Sequence, residues 1–306
     1  MITVEAISKS FNGKKAVDQI SFQALDQEIL VLLGTSGCGK TTTLKMINRL
    51  IEADSGNIFI DGKNIRDQKA EELRMGIGFV MQHSGLFPHY TIQQNIAVVP
   101  ELLKWDKKKT KRKTDELLVK LHLSEEVLSR FPHELSGGQQ QRVGIARALI
   151  ADNPVLLMDE PFGALDTITK ADIHSEFKSL EELKSKTIIL VTHDVQEAFE
   201  LGHRICLMDQ GKIVQTGTPR EMLYQPENDF VRDFFTKNRL LLEYKVTSLH
   251  HISPFLTPEN VYYRPNGMGS KSVWDILQQL SSDHQNAEVY EEVVRAFNQY
   301  RKSQMV

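Results

Sequence analysis

Residues Gly34-Thr35-Ser36-Gly37-Cys38-Gly39-Lys40-Thr41 follow directly on the aliphatic run Ile29 to Leu33. They satisfy G-x-x-x-x-G-K-[ST] in the strand-loop-helix setting that the motif requires. Glycines let the backbone curl so that successive N–H groups point inward, and the helix that follows offers its positive end to phosphate oxygens. The pattern predicts a P-loop in which residues Gly34 to Thr42 bind ATP. Lys40 reaches the β and γ oxygens, Thr41 gives its hydroxyl to Mg²⁺, and Thr42 touches a phosphate oxygen. A glycine-rich turn that merely opens a helix would need neither the lysine nor the hydroxyl. Cys38 stands at a variable position, so its thiol is expected to take no part in the chemistry, while its place near a helix N-terminus predicts a lowered thiol pKa and a block of ATP binding by thiol reagents.

A second apolar run, Val155 to Met158, ends in Asp159-Glu160-Pro161. Ligands in open α/β sheets bind beyond the carboxyl ends of the strands, so two acids at such an end predict a site. Side chains alternate faces along a strand, so the pair divides labour. Asp159 suits the Mg²⁺ shell and Glu160 the base that orients or deprotonates the attacking water. A strand that simply exits into solvent through acids is the plainer alternative, and the P-loop in the same chain argues against it.

Ile29 to Leu33, Val155 to Asp159 and Thr187 to Thr192 are continuous apolar runs, as expected of strands covered on both faces. The class is α/β, a P-loop NTPase with a RecA-like core. Before residue 29, VEAISKSF and KAVDQISFQALDQE predict an antiparallel β layer with a hairpin turn at Asn12-Gly13. Helical spacing over residues 110–150, with Leu117, Leu118, Leu121, Val143, Ile145, Ala148 and Leu149 apolar, predicts a helical subdomain over about residues 86–150. A boundary is expected near residue 240, giving domains 1–240 and 241–306.

Of 306 residues 41% are hydrophobic and 25% charged, which suits a globular protein and excludes disorder. A net charge of -3 supplies no basic field, and nucleic acid is not an expected partner. The longest aliphatic run is far short of the ~20 residues that cross a bilayer. The start MITVEAISKS has no secretory character, and two cysteines make no disulfide framework, so the cytoplasm is the default compartment.

Leu135-Ser136-Gly137-Gly138-Gln139 begins as a capping box, Ser136 with Gln139 three residues on. The glycine pair is not explained by capping, since each weakens a helix by about 1 kcal/mol while allowing backbone N–H groups to approach an anion. With the P-loop before it and the acid-tipped strand after it, this segment resembles the signature of the ATP-binding cassette family, over residues 2 to about 240. The resemblance implies a head-to-tail dimer of two copies, in which Ser136, Gly137, Gly138 and Gln139 complete the partner's ATP site in trans. It implies that Phe11 stacks on adenine where tyrosine is more usual; Phe11 as a β-layer core residue is the alternative. Gln82 matches the glutamine that contacts Mg²⁺ and water, and His193 the switch histidine on the γ-phosphate. Ala164-Leu165-Asp166 matches the D-loop, which puts Asp166 near the partner's nucleotide, although Gly163 stands where serine is common.

Met81 to Pro100, with LFPHYTIQQNIAVVP and LLKW, and the earlier TTTLKMINRLIEADSG are similar to the ATPase subunits of importers for glycine betaine, carnitine and choline. That resemblance implies membrane permease partners, an extracytoplasmic substrate-binding protein, and a cytoplasmic location on the inner face of the membrane. An importer of polar amino acids or polyamines is the alternative, with a non-transport cassette ATPase behind it. Leu86, Phe87, Tyr90 and Ile92 either face the permease or pack inside the helical subdomain. The run Lys107 to Lys113 reads as a solvated helix start or as a contact for anionic lipid. Residues 241–306 are too few for the paired sensor modules of many such subunits. Ser272 opens one amphipathic helix, and Val289, Val293 and Phe297 mark another, so a reduced regulatory or dimerising appendage is expected.

Overall fold

The computed structural model describes residues 1–82, 85–163, 165, 167–257, 271–281 and 287–304. Its strands, in chain order, are β1 (Ile2–Phe11), β2 (Lys14–Ala24), β3 (Ile29–Gly34), β4 (Ser55–Ile60), β5 (Lys63–Asn64), β6 (Ile77–Val80), β7 (Val155–Asp159), β8 (Thr187–Thr192), β9 (Arg204–Asp209) and β10 (Lys212–Gly217). An antiparallel sheet has the order β2-β1-β4-β5, and a larger sheet the order β10-β9-β3-β8-β7-β6. Asn12 and Gly13, with φ of 50° and 78°, make the turn between β1 and β2, the left-handed pair that a two-residue hairpin needs.

In the larger sheet β6, β7, β8, β3 and β9 run parallel and β10 returns antiparallel to β9. Every residue of β7 and β8 is buried. Alternate residues serve two separate apolar cores. Leu30 and Leu32 of β3, Leu157 of β7 and Val191 of β8 face the antiparallel sheet and the P-loop helix Lys40–Ile47. Val31 and Leu33, Met158, and Ile188 and Leu190 face the helical layer. A sheet sandwiched in this way shows no polar alternation, which is why continuous runs mark it in the sequence.

Leu33 pairs with Thr192 and Asp159 with Val191, so the carboxyl ends of β3, β7 and β8 finish at one edge. The helical region is built from Ile92–Leu102, Lys107–Lys120 and Gly137–Leu149. All seven apolar positions expected on its inner faces are buried. The basic run begins the second of these helices behind the N-cap Asp106; Lys111 pairs with Asp115 on its exposed face.

The expected boundary at residue 240 falls inside a helix, Arg239–Val246. Leu242 on that helix belongs to the core of the preceding domain, while Tyr244 stacks on Phe297 at 4.1 Å. Glu243, with no exposed surface, is ion-paired with Arg239 at 2.8 Å and Arg301 at 2.5 Å. Phe297 lies in Ala287–Ser303, which packs with Val273–Ser281 around Ile252. Ser272 and Asp275 cap the latter helix reciprocally. The tail is thus joined to the preceding domain through a shared helix and a buried ion-pair cluster. Among the described residues no helix is long and apolar enough to cross a membrane.

Candidate nucleotide-binding and hydrolysis site

The loop between β3 and the helix Lys40–Ile47 is shaped by close backbone contacts on either side. Gly39 has φ 105°, and a Cβ there would stand 2.4 Å from the Ala16 carbonyl oxygen; one on Gly34 would stand 2.1 Å from that of Met208. Only glycine fits both positions. Thr35, Ser36 and Gly37 form the exposed rim, Thr41 and Thr42 are half-buried, and Lys40 is buried. The Lys40 ammonium donates to the Gly34 and Thr35 carbonyls at 2.8 and 2.9 Å, so the cation is already held within the loop.

Cys38 departs from expectation. Its thiol is buried, and that burial pushes its pKa up, outweighing the pull of Lys40 in the opposite direction. Desolvation of the thiolate wins over the helix terminus, so neither a lowered pKa nor easy access for thiol reagents follows.

At the end of β7 the two acids separate as alternation requires. Thr41 Oγ1 donates to Asp159 Oδ1 at 2.7 Å. Burial raises the Asp159 pKa, and the Thr41 hydroxyl counters that rise. A buried carboxylate beside a hydroxyl suits Mg²⁺, which takes one or two protein oxygens and completes its shell from phosphates and water. Among the described residues there is no cluster of three or more His, Cys, Asp or Glu side chains that could hold a metal.

Glu160 turns away into the left-handed region, with φ 44°, a conformation that costs a non-glycine residue on the order of 1 kcal/mol. Its N–H donates to the Val191 carbonyl at 2.9 Å. Its Oε2 accepts from Gln82 Nε2 at 2.9 Å and lies 3.1 Å from His193 Nδ1. The structure therefore brings Gln82, Glu160 and His193 into one cluster beside the Thr41–Asp159 pair. His193 is 59% exposed.

Phe11 ends β1 with 45% of its surface exposed, so it is not a core residue, and Lys9 Nζ lies over its ring at 5.7 Å from the centroid. Ser136 and Gln139 cap Gly137–Leu149 reciprocally. Among the described residues their side-chain hydrogen bonds are to each other, and none joins this helix start to the P-loop. Asp166 lies outside the described residues, as do Ala164, His83 and Ser84. Of the four apolar residues after Gln82, Ile92 is core and Leu86 is partly buried against it. Phe87 and Tyr90 are exposed, their rings 5.3 Å apart.

Two features escaped the sequence reading. Asp209, at the end of β9, accepts from Thr35 Oγ1 at 3.3 Å. Asp194, next to His193, caps the helix Val195–Leu201 and is ion-paired with Lys170. An Asp with Glu197 three residues later is a readable cap signal; Lys170 carries none.

A parallel sheet with this loop after one strand, and an acid pair at the end of another, defines a P-loop NTPase. The chain belongs to the ATP-binding proteins of ABC transporters. A family model described as ABC transporter matches residues 17–163. The glycine betaine/carnitine/choline transport ATP-binding protein of Bacillus subtilis is 54% identical over 242 residues, 79% of this chain and 64% of that protein. The glycine betaine uptake system ATP-binding protein of Escherichia coli is 48% identical over 259 residues, 85% of this chain and 83% of that one. This chain thus spans less than two thirds of the Bacillus subtilis relative's length and most of the Escherichia coli one. Among solved structures, the dimeric ATP-binding cassette MJ0796, in a post-hydrolysis state bound to ADP and Pi, superposes with a TM-score of 0.65 at 32% identity; the match covers 71% of this chain and 98% of that one.

Proposed function

We propose that this chain is the ATP-hydrolysing subunit of an importer for a quaternary-amine osmoprotectant such as glycine betaine, carnitine or choline. The observation that carries the catalytic part is the Glu160 carboxylate, 2.9 Å from Gln82 and 3.1 Å from His193, at the sheet edge where the P-loop begins. Glu160 holds and deprotonates the attacking water, Gln82 orients it, and His193 bonds the γ-phosphate. Lys40, the loop amides from Gly34 to Thr42 and the face of Phe11 bind ATP. Thr41, Asp159 and Gln82 would hold Mg²⁺, which when bound neutralises charge on the phosphates. Ser136, Gly137, Gly138, Gln139 and Asp166 act on the nucleotide of a second, head-to-tail copy. ATP favours the closed dimer because only that form assembles both clamps, and hydrolysis reopens it. Phe87 and Tyr90 are the contacts offered to a membrane permease, which with an external binding protein selects the cargo and holds this subunit on the inner face of the membrane. The Bacillus subtilis relative's part in glycine betaine, carnitine and choline transport and the Escherichia coli relative's in glycine betaine uptake support the cargo class.

The test is purification of the tagged protein from gently solubilised host membranes, followed by assay of MgATP hydrolysis and of glycine betaine uptake in vesicles made from the co-purifying proteins. A multi-span permease with ATP-dependent betaine uptake supports the proposal. ATP hydrolysis with only ribosomal or DNA-repair partners would overturn the import reading.

A further inference from the structure

The helix Thr167–Ser179 follows the D-loop segment and packs along the helix Val195–Leu201, whose N-cap adjoins His193. Ionic contacts tie the two together. Lys170 Nζ lies 2.5 Å from Asp194 Oδ2 and 3.1 Å from Glu197 Oε2. One turn further on, His174 Nδ1 meets Glu200 Oε2 at 2.8 Å. Glu197 is almost completely buried, and the Lys170 ammonium, with His174, offsets part of the cost of that burial. Asp194 in turn uses Oδ1 to accept from the N–H groups of Gln196 and Glu197 at 2.8 and 3.3 Å, and its own N–H donates to Thr192 Oγ1 at 3.0 Å. The backbone on both sides of His193 is therefore fixed through Asp194. The same Lys170-bearing helix is tied through Glu176 to Arg142, on the helix that begins at Gly137, at 3.0 Å.

We propose that Lys170 is a positioning residue that holds His193 against Glu160 by clamping the first turn of the helix Val195–Leu201. Among the described residues Lys170 pairs with Asp194 and Glu197 and not with Glu160 or the P-loop, so it acts through Asp194. Its helix starts one residue after Asp166 and is braced against the signature helix, so the clamp also links the switch histidine to the two segments that the dimer reading sends to the partner's nucleotide. The inference rests on the ATPase reading above.

The experiment is steady-state ATP hydrolysis by the full chain for the wild type, Lys170→Met, Lys170→Arg and His193→Gln, and for Lys170→Met combined with His193→Gln, with thermal unfolding of each. Lys170→Met is expected to lower kcat about 10- to 100-fold, as misplacement of a positioned group does, with KM within about twofold. Lys170→Arg restores most of the rate, and Lys170→Met causes no further loss once His193 is Gln. The proposal is overturned if Lys170→Met keeps the wild-type kcat, or if it loses the same factor with His193 replaced, since an additive effect denies coupling. Should Lys170→Met not fold, Asp194→Asn, which keeps the cap acceptor and weakens the ion pair, takes its place with the same two outcomes. A wild-type protein without ATP hydrolysis would instead sink the ATPase reading itself.

Discussion

Gln82 Nε2 donates to Glu160 Oε2 at 2.9 Å across 78 residues of sequence. The carboxylate that the sequence nominated as base is thereby oriented from the segment that leads into the helical region, and the same oxygen faces His193.

Glu160→Gln removes the base while keeping a neutral isostere. ATP hydrolysis is expected to fall about 10²- to 10⁴-fold, the usual range for general-base loss, and MgATP should then hold the protein as a dimer. Single-turnover kinetics and light scattering measure both. A variant that hydrolyses ATP normally, or stays monomeric with MgATP, removes the mechanism.

Two loop glycines should respond differently to alanine. At Gly37 a Cβ meets nothing within 4 Å and only φ 78° resists it, for a penalty of about 1–2 kcal/mol. At Gly39 the Ala16 carbonyl at 2.4 Å adds a clash. Calorimetry should therefore show Gly39→Ala melting well below Gly37→Ala, with each kcal/mol lowering Tm by roughly 2–4 °C. Equal melting temperatures would contradict the close approach of β2.

Burial alone would raise the Glu200 pKa, but hydrogen bonds from His174 and Lys245 hold it down to about 2. A carboxylate depressed in the folded state stabilises it above the unfolded value of 4.5 and loses that contribution as pH falls from 4.5 toward 2. The shift corresponds to roughly 3 kcal/mol at neutral pH. Urea unfolding of wild type and Glu200→Gln should show a gap that is full at pH 7 and narrows below pH 5. A gap that stays constant to pH 3 would mean the ion pairs contribute nothing. Because Lys245 lies on the helix that leads into the tail, the same gap reports how the tail is fastened.

Cys38 should label slowly. With its thiol buried and its pKa raised, iodoacetamide at pH 7 is expected to modify the native protein at least about tenfold more slowly than the urea-unfolded chain. The native rate should still be climbing at pH 9. Mass spectrometry of the Cys38 peptide decides it, and rapid native labelling at pH 7 would restore the activated-thiol reading.

The most legible parts of the sequence were those governed by local backbone rules. The glycine-lysine-threonine loop, the continuous runs of β3, β7 and β8 and the Ser136–Gln139 cap each depend on neighbours a few residues apart, where conformational preference and burial pattern act directly. Ile92 was harder to place, because it stands between polar Thr91 and Gln93 and only what packs on it assigns it to the core. Cys38 misled because proximity to a helix start is a local signal, whereas desolvation is set by the whole fold.

By itself the sequence determined the phosphate loop, the acid pair, the α/β class and the family signature. Tertiary structure alone decided that Thr41 meets Asp159 across 118 residues, that Gln82 and His193 converge on one oxygen of Glu160, and that Lys170 is spent on Asp194 and Glu197. The parallel order β3-β8-β7 lines up strand ends that lie far apart in the chain. Burial then forces charged side chains on adjoining helices to find one another. Neither constraint is local, and a lone lysine on a helix carries no mark of the carboxylates that the fold will bring to it.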